Sequence, residues 1–292
     1  MTRSVPLAFA ADGAEWPLRE HSRFVEAGGQ RWHVQILGQG PDLLLVHGTG
    51  AATHSWRGLA PLLAQNFRVI APDLPGHAFT RPLGRLDSSL GGMAAALAEL
   101  LAALDVKPGV AVGHSAGAAI LARMALGKVI APSLFVSLNG AFWPFDGFAA
   151  PLFSVAAKLL FLNPLAPRLF AWAADRAAVD KLMRGTGSAI DARGLDLYAR
   201  LFANPVHVAG TLGMMANWRL EGIERRLPGL RCASLFLVGA ADRAVPPGPA
   251  RRLAASVPGA AFVSIEGAGH LVHEEKPEAV AGAILAAFTA RR

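Results

Sequence analysis

The segment Val110–Gly117 (Val-Ala-Val-Gly-His-Ser-Ala-Gly) constrains the fold more than any other part of the chain. A short apolar run ends in Gly-x-Ser-x-Gly, and an Ala-rich stretch from Ala116 to Leu126 follows at once. The run reads as a strand covered on both faces and the stretch as a helix, which leaves room only for a tight turn between them. Gly113 and Gly117 permit such a turn and let the helix pack closely on the strand. The turn exposes the Ser115 hydroxyl beside a helix N-terminus, whose N–H groups favour a developing negative charge. The plain alternative is a Gly-rich turn that happens to contain a serine.

The rest of the chain repeats the strand-then-helix pattern. Apolar runs recur at Asp42–Val46, Phe67–Ala71, Leu134–Leu138, Leu235–Val238 and Ala261–Ile265, and Ser22–Ala27 and Arg31–Leu37 flank Gly28-Gly29 as a hairpin. Helical stretches at Met93–Leu104, Ala116–Leu126 and Pro277–Phe288 alternate with them. This predicts an α/β fold, a mostly parallel eight-stranded sheet with helices on both faces. One interval is too long for a loop: about 92 residues separate the strand near Asn139 from the strand near Ala233. Its helix-friendly runs, Phe153–Leu162, Ala173–Met183 and Leu195–Phe202, predict a helical cap inserted after a core strand. The expected organisation is a core of residues 20–140 and 233–290, a cap of residues 141–232, and an N-terminal extension of residues 1–19.

Composition removes several classes of function. With 53% hydrophobic and 17% charged residues the chain is too apolar for disorder, and Cys232, its one cysteine, allows neither a disulfide framework nor a multi-cysteine zinc site. The net charge of +7 is scattered, with no Lys/Arg block, so no nucleic-acid partner is expected. No apolar stretch approaches the roughly 18 residues of a membrane span. The apolar part of the N-terminus is about seven residues long and contains Pro6, at the lower edge for a signal peptide. A cytoplasmic location follows as the expectation, with peripheral attachment to a membrane as its variant. The chain has no His-Glu-x-x-His, P-loop or Gly-x-Gly-x-x-Gly sequence, so neither a metal nor any other cofactor is expected.

A serine hydroxyl needs a base, and the base needs an orienting acid. His270, in Gly-Ala-Gly-His directly after the last predicted strand, is the candidate base, with His273 as its rival. Asp242, directly after the strand Leu235–Val238, is the candidate acid, with Asp146 as the alternative. Asn139, ending the preceding strand, cannot carry a permanent charge. His47-Gly-Thr-Gly50 follows another strand and is placed to direct the Thr49 N–H at an oxyanion, with Gly50 as a shift by one and the Ala116 N–H as the second donor. His47 itself reads as a loop-tying residue, and Asp73–His77 as a turn. The cap is aromatic and methionine-rich (Phe142, Trp143, Phe148, Trp172, Tyr198, Phe202, Met214, Met215, Trp218). Most of these pack cap helices on one another. His114, Phe142, Trp143, Trp172 and Trp218 are the candidates for contact with substrate. With a cap charge of +4 (11 Lys/Arg less 7 Asp/Glu), they suit a large, flat, apolar ligand that carries carboxylates.

The order Ser115, Asp242, His270, the Gly-x-Ser-x-Gly turn and the His-Gly turn together resemble the α/β-hydrolases over about Glu20 to Ala290. The stretches Arg23–Gln35, His47–Trp56, Gly113–Met124 and Gly213–Trp218 further resemble the BchO family. These are hydrolase-like proteins associated with bacteriochlorophyll biosynthesis and described as magnesium-chelatase accessory proteins. The resemblance implies a small-molecule ester or tetrapyrrole substrate, with magnesium-chelatase subunits as candidate partners. Three readings stay open: a serine hydrolase in magnesium-tetrapyrrole metabolism, a non-catalytic porphyrin- or chelatase-binding protein on a hydrolase fold, and a general esterase, carbon–carbon bond hydrolase or perhydrolase.

Overall fold

In the computed structural model, residues 5–83, 87–143, 163, 165–220 and 222–290 are described. A short helix α1 (Phe9–Asp12) precedes the hairpin β1 (Ser22–Ala27) and β2 (Gln30–Leu37). Then come β3 (Asp42–Val46), α2 (Leu59–Leu63), β4 (Arg68–Pro72), α3 (Leu90–Ala103), β5 (Val110–His114), α4 (Ala116–Leu126) and β6 (Leu134–Leu138). After β6 the chain forms α5 (Ala166–Ala173), α6 (Arg176–Gly185), α7 (Ala192–Phe202), α8 (Pro205–Asn217) and α9 (Ile223–Arg226). It closes with β7 (Ala233–Gly239), α10 (Pro247–Ser256), β8 (Ala261–Ile265), α11 (Val272–Glu275) and α12 (Pro277–Thr289).

The eight strands form one sheet in the order β1-β2-β4-β3-β5-β6-β7-β8. The pairs β1–β2 and β2–β4 are antiparallel and the rest parallel, as expected from the continuous apolar runs. Side chains alternate between two cores. Leu44 and Val46 of β3 join the face covered by α3, α4 and α10, where Leu97, Ile120 and Leu253 pack. Leu43 and Leu45 join the opposite face, covered by α2 and α12 through Leu63, Val280 and Ile284. The chain leaves β3 toward β4 on one side and returns as β5 on the other. That reversal opens a crevice at the carboxyl ends of β3 and β5, the usual ligand position in an open α/β sheet.

The helical insertion lies between two adjacent parallel strands, β6 and β7. Its helices start on side-chain caps. Asp175 accepts from the Ala178 N–H at 2.7 Å, Asp191 from Gly194 at 2.6 Å, and Asn204 from Val206 and His207 at 3.0 and 3.2 Å. The expected run Ala173–Met183 is divided for this reason: Asp175 takes an extended conformation to cap α6, which ends α5 at Ala173. The run Phe153–Leu162, Phe148 and Asp146 lie outside the described residues. The N-terminal stretch packs across core and insertion. The Trp16 indole N–H donates to Thr53 Oγ1 at 3.0 Å, and Arg193 and Arg200 of α7 pair with Glu15.

Candidate active site

At the end of β5 the chain turns through Ser115 at φ 52°, ψ −117°, a conformation that costs a non-glycine residue about 1–3 kcal/mol. The neighbours hold it there. The Ser115 N–H donates to the Leu138 carbonyl at 2.9 Å, and the Ser115 carbonyl accepts from Ala118 and Ala141, both at 3.1 Å. The glycines are sterically required. A Cβ on Gly117 would lie 2.1 Å from the Val46 carbonyl oxygen, and one on Gly113 would lie 2.4 Å from the Ala118 nitrogen. The strained turn therefore presents Ser115, partly exposed, at the crevice. Its hydroxyl makes no hydrogen bond among the described residues, and such contacts commonly tighten only when substrate binds.

Asp242 and His270 come together from the loops after β7 and β8. His270 Nδ1 lies 2.9 Å from Asp242 Oδ2. The carboxylate is fully buried and the imidazole nearly so. Asp242 is held by further donors: Oδ1 accepts from the Ala244 and Val245 N–H groups at 2.8 and 2.9 Å, and Oδ2 from Asn139 Nδ2 at 2.5 Å. With Nδ1–H committed to the carboxylate, Nε2 is the nitrogen left to act as a base. Asn139 sits at φ 48° at the end of β6, the kind of position that asparagine tolerates.

The His47–Ala52 turn lies across the crevice at the end of β3. Ala51 N–H closes it onto the Gly48 carbonyl at 3.2 Å, with Gly50 at φ +79° and Thr49 at the tip. A Cβ on Gly48 would stand 3.0 Å from Ser115 Cβ, so this turn and the serine are in contact range. Ala116 is the first residue of α4, where no preceding turn of helix accepts its N–H. Thr49 Oγ1 donates to Met214 Sδ at 3.5 Å, a weak acceptor. His47 ties loops: its Nδ1–H donates to the Gly48 carbonyl and its Nε2 accepts from the Leu74 N–H, both at 2.8 Å. Asp73 is structural, fully buried with His33 Nδ1 at 2.7 Å, and the imidazole beside it is among the groups that hold its carboxyl down at about 2 against burial.

Several expected substrate contacts are placed otherwise. His114 is buried beneath the base: its Nε2–H donates to the His270 carbonyl at 2.9 Å, and its ring lies 4.8 Å from the His270 ring and 4.4 Å from that of His273. Burial, with His273 and His270 alongside, pushes its pKa well below the usual histidine range. Its hydrogen bond holds the loop that carries His270. Phe142 belongs to the core, 1% exposed, with its ring 6.2 Å from that of Phe236. Trp172 is 84% exposed on the outside of α5. Trp143 and Trp218 are partly buried against the same core as Phe142. His273, the rival base, is buried against Trp56 with no hydrogen bond to either nitrogen.

The sequence reading missed a strap from the insertion. Residues 186–189 run between the acid loop and the base loop. Arg243 N–H donates to the Thr186 carbonyl at 3.0 Å, Leu271 N–H to Ser188 Oγ at 2.9 Å, and Ala189 N–H to Glu275 Oε1 at 2.8 Å. Glu275 Oε2 accepts from the Gly269 N–H at 2.9 Å. Gly187, at φ +87°, passes so close that a Cβ would lie 2.0 Å from the Ala241 carbonyl oxygen. A second tie runs through α8. His207 accepts from the Ala78 N–H at 3.1 Å and donates to the Gly50 carbonyl at 3.2 Å, and burial pushes its pKa down to about 4. A third joins buried Glu274 to Arg57 and to the Tyr198 hydroxyl at 2.8 Å. Burial raises Glu274 to about 7 against the pull of Arg57. Only Ser188 and the Gly-x-Gly spacing around it offered any signal, and neither is distinctive.

No group of three His, Cys, Asp or Glu stands together to hold a metal among the described residues, and no described helix is long and apolar enough to cross a membrane. The sheet order and the serine turn define a class, and residues 43–283 match the model of the Alpha/beta hydrolase family. The chain belongs to that family. It is 38% identical over 275 residues to the magnesium-chelatase 30 kDa subunit of Rhodobacter capsulatus, covering 93% of this chain and 96% of that one. It is 32% identical over 255 residues to a pimeloyl-[acyl-carrier protein] methyl ester esterase of Chromobacterium violaceum, covering 83% and 93%. Among solved structures, an alpha/beta hydrolase fold protein from Burkholderia ambifaria superposes with a TM-score of 0.77 at 24% identity, covering 97% of this chain and 100% of that one.

Proposed function

We propose that the protein is a serine hydrolase that cleaves an ester or related acyl bond and serves magnesium-tetrapyrrole metabolism. The observation that carries the chemistry is the 2.9 Å contact between His270 Nδ1 and buried Asp242, at the mouth of the crevice where strained Ser115 stands. Ser115 Oγ attacks the acyl carbon as its proton passes to His270 Nε2. The tetrahedral oxyanion is met by the N–H groups of Thr49 and Ala116. The alkoxide leaves with the proton from His270, and an acyl-Ser115 ester remains. Water then gives a proton to His270 and attacks the ester, and His270 passes that proton to Ser115 Oγ as the acid is released. Residues 141–232 act as the cap over this site. The pathway assignment rests on likeness to the magnesium-chelatase 30 kDa subunit.

A fluorophosphonate probe tests the chemistry. The wild-type chain should be labelled and the Ser115→Ala chain should not, with ester turnover down by roughly 10⁴ or more. The same relative's name favours a second reading, a chelatase-binding protein without turnover. Absence of labelling in a folded wild-type protein would support that reading.

A further inference from the structure

Helix α5 is built inside out. Along Ala166–Ala173 it buries Ala166, Pro167 and Ala171 and turns its large apolar side chains to solvent. Leu169 is 64% exposed, Phe170 47% and Trp172 84%, and Leu165 just before the helix is 53% exposed. Leu165, Leu169 and Trp172 follow the i, i+4, i+7 spacing of one helix face. The inner face is fixed, because Ala171 packs on Val208 and Leu212 of α8. The outward stripe is thus not a helix turned the wrong way for want of a partner. Contiguous exposed apolar side chains of this size mark an interaction surface.

We infer that this face docks on an anionic lipid surface. Leu, Phe and Trp on one face, with arginine and lysine in the same stretch of sequence, resembles the composition of helices that lie in the bilayer interface. Between residues 165 and 185 four cations (Arg168, Arg176, Lys181, Arg184) outnumber two acids (Asp175, Asp180), and the whole chain carries +7. The partners of Arg176 and Arg184 are the exposed carboxylate of Asp196 and the half-exposed one of Asp180. Exposed pairs of this kind hold weakly and exchange readily for lipid phosphates. A second copy of the chain is a poorer occupant, since a twofold contact brings two equally cationic surfaces together.

The docking has a geometric consequence. Helix α8, on which α5 rests, reaches the turn at the end of β3 through the His207–Gly50 and Thr49–Met214 contacts. Lipid seated on α5 therefore lies on the far side of the two helices that stack over the candidate oxyanion turn. The docking itself does not depend on Ser115 acting as a nucleophile.

The test is sedimentation of the full chain with phosphatidylglycerol–phosphatidylcholine vesicles and with pure phosphatidylcholine vesicles. Binding should appear with the anionic vesicles and fall at least about tenfold in about 0.5 M salt. The Leu169→Glu and Trp172→Glu variants alter exposed positions, so both should fold, as circular dichroism can verify. Each should lose at least about tenfold in vesicle affinity and keep the wild-type rate of fluorophosphonate labelling. No binding to anionic vesicles overturns the inference, as does binding that both variants retain. It is equally overturned if the wild type is a dimer that these variants dissociate, or if the face is shown to bind a protein and no lipid.

Discussion

Acidification should unfold this protein at a pH that most enzymes tolerate, because the fold buries imidazoles in their neutral form. His54, His77, His114 and His273 are pushed well below the usual histidine range by burial, each with neighbouring cations or imidazoles adding to the effect, and His207 is pushed to about 4. The unfolded chain takes up protons on these groups as the pH falls through about 6.5, while the folded chain does not. Their stabilising contribution is therefore complete above about pH 6.5 and is lost on the acid side. For histidines that stay neutral in the folded chain, the five together should cost roughly 6 kcal/mol between pH 7 and 5.5. Glu274 works in the opposite sense. Its folded value of about 7 lies above the unfolded 4.5, so acidification relieves it by roughly 1 to 2 kcal/mol. The net loss is about 5 kcal/mol, as large as the whole stability of many domains, with uptake of about four protons on unfolding at pH 5.5.

Urea unfolding followed by circular dichroism at several values between pH 7 and 5.5 measures this directly. The expected slope near pH 5.5 is about 5 kcal/mol per pH unit. His273→Phe should lower it by about one proton, because neither His273 nitrogen has a hydrogen bond to lose and the ring stays against Trp56 at 4.5 Å. A stability that changes by less than about 1 kcal/mol over this range, in wild type, would refute the reasoning, since it requires the folded chain to bind the same protons as the unfolded one.

Other perturbations probe the site. Asp242→Asn keeps the shape of the acid but favours the wrong His270 tautomer, so turnover of a p-nitrophenyl ester should fall by up to about 10⁴ with little change in melting temperature. Gly117→Ala forces a Cβ to 2.1 Å from the Val46 carbonyl oxygen and should destabilise the fold by several kcal/mol, read as a large drop in melting temperature. Ser188→Ala leaves the buried Leu271 N–H unpaired, costing about 1–3 kcal/mol locally. Its readout is a fluorophosphonate labelling rate at least about tenfold slower while KM for a short ester is kept; an unchanged rate would show that the strap does not position His270.

How much could be read in advance depended on whether a residue's role is local. The strands were legible because β3, β5, β6 and β7 are continuous apolar runs, the mark of burial on both faces. The placement of Ser115 and Asp242 was legible because each follows such a run at a sheet end, and that of His270 because it follows the apolar edge strand β8; the expected Asp242–His270 contact is present at 2.9 Å. Helix α8 was not legible. Its sequence, Pro-Val-His-Val-Ala-Gly-Thr-Leu-Gly-Met-Met-Ala-Asn, contains two glycines and several β-branched residues. The reason is tertiary: a Cβ on Gly210 would lie 2.1 Å from the Gly76 carbonyl oxygen, so the helix touches the loop after β4 backbone to backbone. His114 was misread for a related reason. His114 is 2% exposed, and its ring is committed to the His270 carbonyl.

These contacts bear on what the insertion does. Were it only a lid, it would meet the core along apolar faces and leave the loops at the sheet ends to support themselves. Instead Thr186, Ser188 and Ala189 supply hydrogen bonds to or beside the loops of Asp242 and His270. His207 bonds the turn that carries Thr49, and Tyr198 reaches Glu274 just beyond His270. All but the exposed Ala189 are polar groups buried or half-buried at the junction, so parting the surfaces leaves those donors and acceptors unpaired at a cost of about 1–3 kcal/mol apiece. Rigid-body opening of the whole insertion would break several at once. Substrate entry by that route is thus expensive, and an entry path between the elements of the insertion is favoured over a swing of the insertion as a unit.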